Sequence, residues 1–338
     1  MTGPWGVPIA RERRGPVWPE RKSRGTRGRV WCLVVLLLAG ACERVPGEPG
    51  RAAGTETEQR AQGMTLRLDS LLEPGESAAV LDLASGRIVA ESGSDVLKVP
   101  RLPGSVFKLV TAAAALAQGL DGLTLTCTGR LHLLGRTWTC WDPRGHGSLR
   151  LVKALALSCN LYFYQLASRL DPAAFLTTAH RLGLDGPSGL AVGEQVQELP
   201  GGLLQEELLV AALGESEQVR VTGLQLLRLA AVISGVGPLA GNGVALDEVL
   251  RQGMQEAASY GTARGAGQGG PCAAKTGTAR EPGTWRYHGW CIGYTPVVAP
   301  RYAFVVYRYS GVGAEAARTA GRVVEALGRM VGPGRGER

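Results

Sequence analysis

Three short groups of residues in this chain are of types and spacings that can do chemistry together. Ser105 and Lys108 stand three apart, which on a helix puts both side chains on one face, one above the other. The stretch that follows, Leu109 to Ala117, is apolar, and Val106, Leu109, Val110, Ala113, Leu116 and Ala117 fall at helical spacing. Behind the Pro103-Gly104 break, this pattern predicts a buried helix with Ser105 in its first turn. A serine hydroxyl becomes a useful nucleophile when a base takes its proton, and a lysine serves as that base when desolvation or nearby cations depress its pKa. Backbone N–H groups at a helix N-terminus can also stabilise a developing oxyanion. A capped helix with a solvated lysine has the same spacing, so the pair alone decides nothing.

The second group is Ser158-Cys159-Asn160, entering a helical run that continues Leu161-Tyr162-Phe163-Tyr164. A hydroxyl and an amide two residues apart can relay a proton and hold a substrate amide; an ordinary N-cap uses the same residue types. The third is Lys275-Thr276-Gly277-Thr278, in a strand-like run. Alternation puts Thr276 and Thr278 on one face, and Gly277 lets a ligand backbone approach closely. Two hydroxyls and an ammonium there suit a substrate carboxylate, and an extended peptide can pair along the strand edge.

The elements that must position these groups are legible in outline. Ala78–Leu83 and Arg87–Glu91 flank Ala84-Ser85-Gly86 as a hairpin. The helix at Ser105 is predicted to end at Gly119, and Leu123–Cys140 reads as a second hairpin, with a helix from about Leu149. Helical patterns recur at Leu161–Leu170, Pro172–Leu182, Glu206–Ala212, Leu224–Ile233 and Leu246–Ser259. Three strand-like runs follow, Pro271–Thr278, Gly289–Thr295 and Arg301–Tyr309, and then an amphipathic helix aligning Ala316, Ala320, Val323, Val324 and Leu327. Strands at both ends with helices between predict an α+β domain whose terminal segments share one antiparallel sheet, with helices on both faces.

The 338 residues are 45% hydrophobic, enough for a sizeable core, and the net charge of +8 raises the question of nucleic acid. Residues 1–30 hold eight of the basic side chains against Glu12 and Glu20. The basicity therefore belongs to the leader, and no nucleic-acid partner is implied. Val30 to Cys42 is an apolar run too short for an ordinary span and suited to an export signal. Leu38-Ala39-Gly40-Ala41-Cys42 resembles a bacterial lipoprotein signal. The expected organisation is a leader over 1–42, a tether over 43–75, a folded domain over 76–330 and a short tail over 331–338. The bulk of the chain is expected outside the cytoplasm, on the periplasmic or cell-surface side of the inner membrane, anchored by lipid or by the signal itself.

Taken in order, Ser105-x-x-Lys108, Ser158-x-Asn160 and Lys275-Thr276-Gly277 are the set associated with penicillin-binding proteins and serine β-lactamases. The surrounding text agrees: Leu102-Pro-Gly-Ser-Val-Phe-Lys-Leu109, Ser158-Cys-Asn-Leu-Tyr-Phe-Tyr-Gln-Leu166, Gly261-Thr-Ala-Arg264, Ala274-Lys-Thr-Gly-Thr-Ala279 and His288-Gly-Trp-Cys-Ile-Gly-Tyr294. Over roughly residues 77–330 the chain closely resembles the penicillin-binding transpeptidase domain of cell-wall synthases.

That resemblance implies a β-lactamase/transpeptidase-like fold and a role for each residue. Ser105 would be the acylated nucleophile and Lys108 its base; Ser158 would shuttle the proton to the leaving amine and Asn160 orient the bound peptide. Lys275 would support the Ser158 hydroxyl, Thr276 and Thr278 would hold the terminal carboxylate beside Gly277, and the N–H groups of Ser105 and Thr278 would form the oxyanion hole. The implied reaction is D,D-transpeptidation of peptidoglycan stems ending in D-Ala-D-Ala, with β-lactams acylating the same serine, no cofactor or metal, and a separate glycosyltransferase as a partner. A D,D-carboxypeptidase, a β-lactamase, and a sensor or scaffold that binds without turnover are the alternatives. The chain departs from the family pattern in places. No glycosyltransferase region precedes the domain, the Ala90-to-Pro103 spacing is short, Gly214-Glu215-Ser216-Glu217 replaces a Gly-Gln-Gly-like turn, and Ala274 stands where glycine is commoner.

The four histidines, His132, His146, His180 and His288, lack recognised metal spacing. Cys127, His132, Cys140 and His146 make a conceivable zinc set of no recognised pattern, so no metal is expected. His180 and His288 read as surface or supporting structure, and Glu215 and Glu217 as solvated loop charges bordering the cleft. Cys127 and Cys140 bracket a turn at Gly135-Arg136 and are expected to form a disulfide, as are Cys272 and Cys291 on neighbouring strands.

Overall fold

Strands from both ends of the chain meet in one sheet. The computed structural model describes residues 66–240 and 248–331. Five strands, β1 (Glu76–Asp82), β2 (Arg87–Ser92), β7 (Ala273–Arg280), β8 (Tyr287–Thr295) and β9 (Tyr302–Arg308), lie in the order β2-β1-β9-β8-β7. Every neighbouring pair is antiparallel. The β1 strand is an apolar run because both its faces are buried: Ala79 and Leu81 face one hydrophobic core, while Ala78 and Val80 face another.

Helices cover both faces. On one side Lys108–Ala117 (α2), Asn160–Ala167 (α4), Pro172–Arg181 (α5), Gln205–Ala211 (α6) and Gly223–Ser234 (α7) enclose the larger core. Two shorter helices, Ser94–Leu97 (α1) and Leu151–Ala156 (α3), complete that layer. On the other side the long helix Gly313–Val331 (α10) lays Ala316, Ala320, Val323, Val324 and Leu327 against Phe304, Val306 and Cys291, joined by residues of Glu248–Ser259 (α8) and Arg264–Gly267 (α9). The α+β architecture with helices on both faces is thus as the sequence predicts.

Three expectations need correction. Residues 66–75, assigned to the tether by composition, are folded: Leu68 is buried beneath α10, and Arg322 Nε donates to the Leu71 carbonyl at 2.8 Å. The Leu123–Cys140 stretch is not one hairpin. Its first strand, β3 (Leu125–Cys127), pairs with β6 (Gly147–Leu149), and only β4 (Arg130–Leu133) and β5 (Arg136–Thr139) pair with each other. Ser105 sits in a 3₁₀ turn, Gly104–Phe107, with Lys108 opening the α-helix. The leader and the rest of the tether lie outside the described residues, as does the 332–338 tail. Among the described residues no helix is long and apolar enough to cross a membrane.

Candidate active site

The serine turn is wedged against the β7 strand, and glycines on both sides make the approach possible. Gly104 has φ +54°, and a Cβ there would lie 2.4 Å from the Thr278 carbonyl oxygen. A Cβ on Gly277 would lie 2.3 Å from the Pro103 carbonyl oxygen. No real Cβ tolerates such distances, so both positions are restricted to glycine by the fit of turn to strand. The tighter 3₁₀ winding also brings Ser105 and Lys108 into near eclipse, since residues three apart stack on such a turn.

Behind the turn, His288 and Trp290 on β8 fix its entry. His288 Nε2 donates to the Leu102 carbonyl at 2.8 Å, and Trp290 Nε1 donates to the same oxygen at 3.0 Å. Burial pushes the His288 imidazole below its ordinary pKa, with the Leu102 carbonyl and Glu281 opposing, and this favours the neutral donor. The sequence suggested only a supporting histidine; nothing local in it shows that two β8 side chains converge on one carbonyl before the nucleophile turn. Gly104 N–H in turn donates to the Gly214 carbonyl at 3.0 Å.

The three motifs come together around one hydroxyl. Lys108 Nζ, fully buried, donates to the Asn160 Oδ1 at 2.6 Å and to the Ser158 carbonyl at 2.7 Å, and lies 3.4 Å from Ser158 Oγ. Lys275 Nζ, also fully buried, donates to Ser158 Oγ at 2.9 Å and to the Thr276 carbonyl at 2.9 Å. Ser158 has φ +50°, a left-handed conformation unusual for a residue with a Cβ and found where surrounding contacts enforce it. Here Lys108 grips its carbonyl and Lys275 its hydroxyl.

Two ammonium groups in so dry a place are costly to keep charged. Burial lowers Lys108 from 10.5 to about 8, with partial compensation from Cys159, Glu215 and Cys140. Lys275 is held well below its ordinary value by burial and then by the neighbouring Lys108. Glu215, read from the sequence as a solvated loop charge bordering the cleft, does line it, with its carboxyl drawn upward by desolvation and downward by Lys108. The residue as a whole is exposed. Thr276 Oγ1 and Thr262 Oγ1 lie 3.0 Å apart, bringing in a hydroxyl the sequence-derived set left out. Thr278 Oγ1 accepts from Gly313 N–H at 2.9 Å.

β7 is the last strand of the sheet, so its outer edge carries no further strand among the described residues. A groove of about 480 Å³ runs along that edge, lined by Leu102, Glu215, Glu217, Thr278, Ala279 and Tyr287 among others. All eight sequence-predicted residues, Ser105, Lys108, Ser158, Asn160, Lys275, Thr276, Gly277 and Thr278, belong to this one region. The arrangement can activate a serine through a largely desolvated lysine and pass a proton by way of a second serine.

The expected disulfides are absent: Cys127, Cys140, Cys272 and Cys291 are all free. Register explains the second pair, because Cys291 lies opposite Thr276, four residues beyond Cys272. The first pair instead turns toward His146 and Cys159, with all four ligand atoms within 4.8 Å of one another. His132, included in the conceivable zinc set, is not among them; it lies beside Thr137 on the β4–β5 hairpin.

The chain is also similar to known proteins. The family model described as the penicillin binding protein transpeptidase domain matches residues 77–327. The peptidoglycan D,D-transpeptidase PbpA of Mycobacterium tuberculosis is 28% identical over 265 residues, which is 68% of this chain and 54% of that protein. Its namesake in Mycolicibacterium smegmatis is 30% identical over 266 residues, 67% of this chain and 53% of that protein. The chain spans about half the length of the curated relatives it matches. Among solved structures, one of a peptidoglycan synthase complex that coordinates polymerization and crosslinking is similar at a TM-score of 0.65 and 26% identity, over 78% of this chain and 57% of that one. Helicobacter pylori PBP2 shares the fold at a TM-score of 0.65 and 21% identity, over 75% of this chain and 59% of that one.

Proposed function

The chain belongs to the penicillin-binding protein transpeptidase family, and on that premise we propose that it is a serine D,D-transpeptidase acting on peptidoglycan stems that end in D-Ala-D-Ala. The observation that carries the reading is the convergence of Lys108 and Lys275 on the Ser158 hydroxyl beside a serine turn docked on an open strand edge.

In this reading Ser105 Oγ attacks the penultimate D-Ala carbonyl and Lys108 takes its proton. Burial has already weakened the lysine's hold on that proton, so the amine is a competent base near neutral pH. The Ser105 and Thr278 N–H groups receive the oxyanion. The proton then passes through Ser158, which touches both lysines, to the departing D-Ala amine. Asn160 orients the donor stem, and Thr276 and Thr278 hold its terminal carboxylate with the field of Lys275. The acyl-enzyme is resolved by an amine of a neighbouring stem, and β-lactams form the same ester without release.

The enzyme works outside the cytoplasm, with residues 1–42 as leader and 43–65 as tether to the membrane. A separate glycosyltransferase supplies the strands; similarity to a structure solved within a peptidoglycan synthase complex supports such a partner. Purified protein given a stem pentapeptide and an acceptor amine should release D-Ala and form the cross-linked amide. Release of D-Ala with only free tetrapeptide would instead mark a carboxypeptidase, and neither product would mark a binding protein without turnover.

A further inference from the structure

Beside the Ser158 motif lies a cluster that the proposed acyl transfer does not use. Cys127 ends β3, Cys140 follows β5, His146 precedes β6, and Cys159 caps the Asn160–Ala167 helix by accepting from Tyr162 N–H at 3.4 Å. The three thiols are buried. Cys127 Sγ and Cys140 Sγ lie 3.6 and 3.5 Å from His146 Nδ1, and Cys140 Sγ lies 3.9 Å from Cys159 Sγ. Zinc held tetrahedrally, with bonds of about 2.3 Å to sulfur and about 2.0 Å to nitrogen, sets its ligand atoms about 3.5–3.8 Å apart. These three separations match that within a few tenths of an ångström, and all four ligand atoms lie within 4.8 Å of one another.

The alternatives fit less well. A disulfide would consume two of three cysteines and leave a thiol and an imidazole facing it. Simple packing would spend four polar or polarisable groups on weak S–H contacts in a dry site. His146 Nε2 has no hydrogen-bond partner among the described residues, so no contact commits Nδ1 to carrying the proton. The segment also needs a staple: residues 125–149 hold two two-stranded sheets, and such pairs are marginal by themselves. Four ligands from four separate places would be tied by one ion.

We propose that Cys127, Cys140, His146 and Cys159 form a tetrahedral Cys₃His zinc site that fastens the 125–149 segment to the helix entrance carrying Ser158 and Asn160. Zinc binding releases the three thiol protons to solvent and leaves a closed, four-coordinate structural centre with no open position for substrate. Its effect on catalysis is positional. Cys159 lies between Ser158 and Asn160, both of which contact Lys108, and a metal bond at its sulfur fixes the left-handed Ser158 backbone. This positional clause rests on the transpeptidase reading; the metal site does not.

Elemental analysis of the purified full chain should find one zinc per molecule. Exchange with cobalt(II) should give the thiolate-to-cobalt charge-transfer absorption and the visible bands of a tetrahedral site. Cys140→Ser should lose the metal, while His132→Ala, outside the cluster, should keep it. Metal-free protein with three reduced thiols, or a Cys127–Cys140 disulfide found by peptide mapping, would overturn the site. Chelation that strips zinc from folded protein should slow penicillin labelling on the order of tenfold or more, with recovery on adding zinc. Unchanged labelling after verified zinc loss would overturn the positional role and leave the acyl-transfer reading standing. Absence of labelling from zinc-loaded protein would count against acyl transfer and leave the metal site standing.

Discussion

Lys108 Nζ donates to Asn160 Oδ1 at 2.6 Å, a partly buried contact between residues 52 apart in sequence. It joins the helix that follows the nucleophile to the helix that follows Ser158, so the base and the peptide-orienting amide hold each other in place. Asn160→Ala should therefore do more than loosen peptide binding. Second-order acylation by penicillin should fall on the order of a hundredfold, chiefly through the rate of the bound complex, because the amine loses its strongest partner and its aim. Stopped-flow or quench labelling measures this. A rise in the half-saturating concentration alone would confine Asn160 to binding.

Acylation should follow the neutral fraction of Lys108. With burial as the leading cause and a pKa of about 8, roughly a tenth of the amine is free base at pH 7. The sign follows directly: labelling slows about tenfold for each unit below pH 7 and levels off above pH 9. A pH–rate profile of penicillin labelling checks it. A rate flat between pH 6 and 9 would show that the base titrates elsewhere.

Gly104 is required by shape. Its φ of +54° and the 2.4 Å that would separate a Cβ from the Thr278 carbonyl oppose even a methyl group. Gly104→Ala should cost about 2–4 kcal/mol of stability, combining left-handed strain with overpacking. Urea unfolding gives the number, and loss of labelling should accompany it as the turn lifts off β7. A variant of native stability would mean that the turn is free to shift.

What could be read from the sequence, and what could not, divides along the range of the interactions. The three motifs are legible because each is a local group of chemically unusual residues, and the sheet because its inner strands are short apolar runs, buried on both faces. The 3₁₀ start of the Ser105 helix is not, since a wedge between Gly104 and Gly277 on a distant strand imposes it. The Cys127–Cys140 disulfide failed for a similar reason. Cys127 pairs with Gly147, so its thiol and that of Cys140 meet at the His146 ring and not across a hairpin, a partner that turn signals do not reveal. Cys159 passed as a mere spacer in its motif, although its sulfur caps a helix and meets Cys140. Residues 66–75 look like linker by composition, but Leu68 and the Leu71 carbonyl dock on a helix more than two hundred residues later.

Glu76 supplies a stability test away from the site. Its carboxylate is fully buried and takes Arg308 Nη1 at 3.0 Å, Thr319 Oγ1 at 2.8 and 2.9 Å, and Glu73 N–H at 2.8 Å. Glu76→Ala removes the acceptor that Arg308 and Thr319 share, leaving Arg308 with Glu315 at 3.3 Å and Thr319 with Arg322, and should destabilise the domain by about 2–3 kcal/mol. Denaturant midpoints measure the change. A loss under 1 kcal/mol would mean that solvent reaches the pair.

An ester at Ser105 is the direct mark of acyl transfer. Full-length protein incubated with a penicillin and followed by intact mass should gain one antibiotic mass, mapped to the Ser105 peptide and persisting for at least many minutes. Ser105→Ala, a small substitution in a position that tolerates it, should stay folded and gain nothing. Undiminished labelling of Ser105→Ala, or rapid penicillin hydrolysis by the wild type with no adduct seen, would contradict it.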